Sequence, residues 1–125
     1  MSAGRYSFTI EQGVDFSRTL TWLDSLEAPI ELTDYTAQLT VRKREHDDDF
    51  LLLFDSEANI DADGDIALGG VLGTILLTVD AADTELLSWK GAAFYDLVLT
   101  DPDGNPTRLL KGRVRLSSSV TREVV

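Results

Sequence analysis

Between residues 92 and 116 the chain reads AAFYDLVLTDPDGNPTRLLKGRVRL, and apolar and polar side chains take turns along it. Ala93, Tyr95, Leu97 and Leu99 share one parity, and Phe94, Asp96, Val98 and Thr100 share the other. Further on, Leu110, Val114 and Leu116 alternate with Lys111, Arg113 and Arg115. A period of two puts the two sets on opposite faces of a sheet. The segment therefore predicts two long strands with one packed face. Residues 101–106 between them, DPDGNP, carry hairpin chemistry, because Gly104 reaches positive φ without a side-chain penalty.

The same period recurs upstream. Phe8 and Ile10 share a face over residues 6–11. Residues 16–23 put Phe16, Leu20 and Trp22 on one side. Arg18 shares that parity, which places it near an edge or lays its stem along apolar surface. Over residues 35–43, Tyr35, Ala37, Leu39 and Val41 point inward and Thr36, Gln38, Thr40 and Arg42 outward, as in an antiparallel sheet with one wet face. Residues 50–54 form a continuous apolar run, and Ile75, Leu77 and Val79 share a face over 74–79. One short helical turn is expected near 81–87, with Asp80 as N-cap and with packing from Leu86, Leu87 and Trp89. About seven to nine short strands with turn residues between them favour an all-β, antiparallel β-sandwich. One domain is expected over residues 1–125, with 117–125 a strand end running into a loose tail. The expected buried set is Phe8, Ile10, Leu20, Trp22, Leu39, Val41, Leu77, Leu97, Leu99 and Val114.

Composition narrows the partners. A chain of 125 residues fits one domain, and the absence of cysteine removes disulfides and thiolate metal sites. Lys and Arg total 11 against 22 Asp and Glu, a formal charge of −11. That balance opposes a phosphate backbone and an anionic membrane surface, so neither nucleic acid nor membrane is an expected partner. The opening MSAGRYSFTIEQG shows no apolar leader region. The run at 66–79 contains Gly69, Gly70 and Gly73 and is too short for a membrane-spanning helix; it reads as two strands around a bend.

Four constellations could carry chemistry. Asn59, Asp61, Asp63 and Asp65 place oxygens at alternate positions around Gly64, as in a calcium loop. The twelfth position is Gly70 where such loops close with a bidentate Glu, so a polar turn explains the same residues and no metal or other cofactor is expected. The DPDGNP turn reads as a hairpin. The tip Asp47, Asp48 and Asp49 beside His46 reads as a solvated face or as a contact for a basic partner. The stripe Lys111, Arg113 and Arg115, with Arg108 nearby, reads as cross-strand pairing with Asp96 or as a docking patch for an acidic neighbour. Val71 and Leu72 in the glycine-rich bend are the expected dry contact. No nucleophile–base set and no phosphate-cradling loop is legible, so no enzymatic activity is expected.

Several phrases follow one another in a familiar order. YSFTIEQG at 6–13 precedes the strand at 16–22; APIELTDYTA at 28–37 leads into LTVR at 39–42; LTVDAADT at 77–84 precedes YDLVLTD at 95–101 and Gly104. This order resembles small virion proteins of tailed bacteriophages, and the N-terminal immunoglobulin-like domain of phage baseplate upper proteins. Ser25, Leu26 and Glu27 stand where that family has a glycine-containing turn, and Asp34 stands where glycine is common. The resemblance implies an immunoglobulin-like sandwich and a non-enzymatic structural role in a virion, in the tail or baseplate. It implies contacts with other virion proteins and a homo-oligomeric arrangement in the particle. It carries over no functional residues. Rival readings are a head–tail connector, neck or capsid decoration protein, and a carbohydrate-binding module using Trp22, Trp89, Phe94 and Tyr95.

Overall fold

The computed structural model describes residues 4–118. Among the described residues nine strands build one mixed sheet: β1 (Gly4–Arg5), β2 (Phe8–Glu11), β3 (Phe16–Thr21), β4 (Thr36–Arg42), β5 (Leu52–Asp55), β6 (Gly64–Leu68), β7 (Thr74–Val79), β8 (Ala92–Thr100) and β9 (Pro106–Ser117). The strand path runs β1-β9-β8-β4-β5-β6-β7-β3, with β2 also pairing β9. Six of these spans follow the alternation of the sequence closely, and β8 buries Ala93, Tyr95, Leu97 and Leu99 while their neighbours stay half-exposed.

The sheet curls so that its two ends meet. The Phe8 ring on β2 lies 5.4 Å from the Phe16 ring on β3, although those strands occupy opposite ends of the path. The interior collects Phe54, Ile10, Leu39, Ile75, Leu77, Leu97 and Leu99, all under 2% exposed. Full burial of each such side chain contributes about 1.5–3 kcal/mol. Eight of the ten expected core residues are buried. Leu20 and Trp22 are half-buried and pack against the cluster from outside it. Arg18, also on β3, donates from Nη1 to the Tyr6 hydroxyl at 2.6 Å and lies 5.7 Å over the Phe16 ring.

Several expectations need correction. The sheet is mixed rather than antiparallel: β1 and β2 run parallel to β9, and β5 runs parallel to β6. The second case arises because residues 56–63 carry the chain back beside β5 instead of reversing it. Every residue of β5 is buried, and Phe50 and Leu51, expected to belong to that strand, precede it at 42% and 36% exposure. The helix is only α1 (Ala81–Thr84); Asp80 holds its N-cap position as expected, but the Asp80 side chain makes no capping hydrogen bond. Asp15 accepts from the Ala81 N–H at 2.7 Å instead, and buried Thr84 accepts from Gly13 N and donates to Val14 O. Leu87 and Trp89 pack inward as expected, whereas Leu86 is exposed. Strand β9 continues through Ser117, and residues 119–125 of the expected tail lie outside the described residues.

The turns explain themselves locally. Asp101 Oδ1 accepts from the N–H groups of Asp103 and Asn105, which closes the β8–β9 hairpin over Gly104 at φ 88°. The Asn105 N–H, chiefly, holds the Asp101 carboxyl below its ordinary pKa, with the bonds from Asp103 and Gly104 adding to it.

Candidate functional site

The outward face of β4, β8 and β9 builds a basic groove. Register aligns three rows across these strands: Arg42–Phe94–Arg113, Thr40–Asp96–Lys111 and Gln38–Val98–Arg108. Strict alternation would turn Arg108 inward together with Leu110. A bulge opposite Leu97 and Val98 inserts Leu109 as an extra residue, and Arg108 returns to the wet face. Arg5 on β1 stands in register with Lys111 and adds a cation at one side. Glu45 and His46, from the turn after β4, also line the groove. The groove is open to solvent and has a volume of about 440 Å³.

Five of the eleven basic residues of an acidic chain line this groove, against two carboxylates, Glu45 and Asp96. Among the described residues the one ion pair is Arg108 Nε to Asp96 Oδ2 at 3.3 Å, between exposed side chains. The Arg113 guanidinium lies 5.5 Å over the Phe94 ring. That stacking fixes the planar group while leaving its N–H fork for a ligand. The arrangement can bind carboxylates and other anions by charge and hydrogen bonding.

Of the predicted stripe, Lys111 and Arg113 stand in the groove. Arg115 keeps the same outward parity opposite Ala92 but lies beyond the groove lining. The sequence reading missed Arg5 and Arg42 as members, because they come from strands distant in sequence. The outward parity of Arg42 was the available signal. The acidic tip adjoins the groove along the chain: Asp47, Asp48 and Asp49 directly follow Glu45 and His46, which line it. Asp47 turns Oδ2 back onto the Arg44 N–H at 3.2 Å, while Asp48 and Asp49 are exposed.

The other candidates lie elsewhere. Val71 and Leu72 are 67% and 63% exposed in a turn at the opposite end of β4, where Leu32 N donates to Gly70 O. Gly73 closes that turn at φ 66°, and a Cβ there would come within 3.1 Å of the Trp22 and Ile30 backbones. In the 59–65 loop, Asn59 donates to Asp55 Oδ2 at 2.9 Å and accepts from Asp61 N, while Asp65 sits on β6. Among the described residues no group of three or more His, Cys, Asp or Glu side chains is arranged to hold a metal ion. Burial works against the ionised form of Asp55, yet bonds from Asn59, Gln38, Glu57 and Ser56 outweigh it and lower its pKa. Of the aromatics a sugar platform would need, Trp89 and Tyr95 are buried. The Tyr95 hydroxyl donates to Tyr6 O at 2.5 Å, and burial, with Tyr6 nearby, raises its pKa well above the ordinary phenol value.

No protein-family model and no curated protein sequence matches this chain. The groove therefore has to be read from its own chemistry.

Proposed function

We propose that this chain is a non-enzymatic structural component of a tailed phage particle, in the tail or baseplate. In this reading it is an immunoglobulin-like β-sandwich that works by docking to acidic neighbouring proteins. The observation that carries the docking role is the groove: five cations on one sheet face of a chain with charge −11, and one ion pair among them. Folding alone gives no reason to gather like charges. The phage assignment rests on the order of turn phrases, and one backbone feature supports it. Glu27 and Asp34, which stand where the phage pattern has glycine, both adopt φ 63°. A left-handed backbone is what a glycine position demands, so the turns keep their shape despite the changed residues.

Purified particles of the phage or prophage that carries this gene test the reading. The protein is expected in the particle at fixed stoichiometry. The triple variant Arg42→Glu/Lys111→Glu/Arg113→Glu, folded by circular dichroism, is expected to be excluded from it. Particles that lack the wild-type protein, or that incorporate the triple variant normally, would overturn it.

A further inference from the structure

We propose that the groove face is the contact of a two-fold homodimer, in which the acidic tip of each copy enters the basic groove of the other. The proposal rests on reading the groove as a docking site and names its occupant: residues 47–49 of a second copy.

The charges match. The groove holds an excess of three positive charges over Glu45 and Asp96, and the tip offers three consecutive carboxylates. The positions match as well. The tip directly follows Glu45 and His46, which line the groove, so acidic donor and basic acceptor adjoin. A patch of that kind is self-complementary under a two-fold axis and closes as a dimer; donor and acceptor on opposite sides would make a ring or a filament.

Within one copy the match is not used. No tip carboxylate forms an ion pair among the described residues, and Asp47 bonds its own turn instead. Phe50 and Leu51, immediately after the tip, stay exposed although a strand of this sheet begins at the next residue. They supply the apolar surface that a contact made of charges alone would lack. An interface needs such a desolvated part, because exposed ion pairs by themselves contribute little.

Two copies at −11 each also repel. Repulsion between their distant acids acts over a Debye length of roughly 30 Å at 0.01 M salt and about 8 Å at 0.15 M, whereas contacting pairs persist at the higher value. Dimerisation is therefore expected to peak near physiological salt and to weaken at both extremes.

Sedimentation velocity tests this with two charge-reversed proteins. One reverses the tip (Asp47→Lys/Asp48→Lys/Asp49→Lys) and the other the groove (Arg42→Glu/Lys111→Glu/Arg113→Glu). Each alone is expected to lose at least about 100-fold in dimer affinity. An equimolar mixture restores both contacts of the two-fold pair and is expected to dimerise. Circular dichroism and the urea midpoint check that both variants fold. The proposal is overturned by a wild type that stays monomeric up to concentrations on the order of 100 µM, a weak-complex range. It is also overturned by a mixture that stays monomeric, or by wild-type species larger than dimers. A monomeric wild type, together with a groove variant still excluded from particles, would sink the dimer and leave the docking reading standing. Dimers whose groove variant still enters particles would do the reverse.

Discussion

Gly112→Ala is expected to unseat the first strands from the last. Gly112 lies on β9 opposite Tyr95, on the inward face. A Cβ there would sit 2.0 Å from the Tyr6 carbonyl oxygen and 2.8 Å from its carbon, both backbone atoms that no rotamer change can move. That oxygen accepts the Tyr95 hydroxyl, and the Tyr6 N–H donates to Lys111 O at 3.1 Å, so the crowding falls on the seam between β1, β2 and β9. Overpacking of this kind costs about 1–3 kcal/mol. Pushing Tyr6 away also orphans a buried phenol donor, at about 1–3 kcal/mol more. The sum is roughly 2–6 kcal/mol, read as a fall in the urea midpoint with unchanged slope. Tyr95→Phe supplies the control. Alone it removes one hydrogen bond and costs about 1 kcal/mol; in the Gly112→Ala background it is expected to cost almost nothing, since the bond is already lost. A Gly112→Ala protein within about 0.5 kcal/mol of wild type, the range of an ordinary surface change, would refute the reasoning. So would two effects that simply add.

Glu27→Gly is expected to stabilise the protein: relief of a left-handed backbone is worth about 1–2 kcal/mol, and the extra freedom of the unfolded glycine takes back about half of it. A thermal melt that falls instead of rising would show that the turn does not carry this strain. Asp55→Asn is expected to cost about 1–2 kcal/mol near neutral pH, because the 56–63 connection hangs on that carboxylate through Asn59 and Glu57, and Gln38 braces it from β4. The folded pKa of Asp55 is depressed below 3.8, so the contribution is present above that value and is lost as pH falls through the folded value. The gap between wild type and variant in melting temperature should then close in acid; a gap independent of pH would show that the ionised form is not what the loop holds.

Much of the sheet was legible from alternation, since a residue on a half-buried strand must choose one face. Strand β4 and strand β8 follow that rule residue by residue. Three things were hidden for physical reasons. The parallel pairings depend on where β1, β2 and β6 lie in the sheet, and alternation looks the same in either direction. Glycine at 112 reads as a gap in the pattern of β9, yet it marks where another backbone crosses. Asp80 takes the N-cap position of α1 as a local reading selects, but the carboxylate that accepts from its first N–H is Asp15, 66 residues away. The groove was half legible: Lys111 and Arg113 show as a stripe on one strand, but Arg5 and Arg42 join them only through register. The outward return of Arg108 required a bulge that no residue type announces.

The gathering of cations is the point on which function and stability part company. Arg42 and Lys111 have no ion-pair partner among the described residues, and both lie on the wet face of the sheet. Like charges on one face repel, and a chain at −11 would lower its self-energy by scattering its few cations among the acids. If these side chains served folding, removing their charge would hurt. Arg42→Gln/Lys111→Gln keeps most of the aliphatic stems and is expected to change stability by no more than about 0.5 kcal/mol, because local repulsion is relieved while the net negative charge grows. The same double variant should weaken docking of an acidic partner at moderate salt and make the remaining affinity less salt-sensitive, since fewer contacts are left to screen. Urea denaturation and binding isotherms on one preparation separate the two outcomes. A large loss of stability would return the groove to the scaffold; unchanged stability with weakened docking means that this face is shaped for a neighbour.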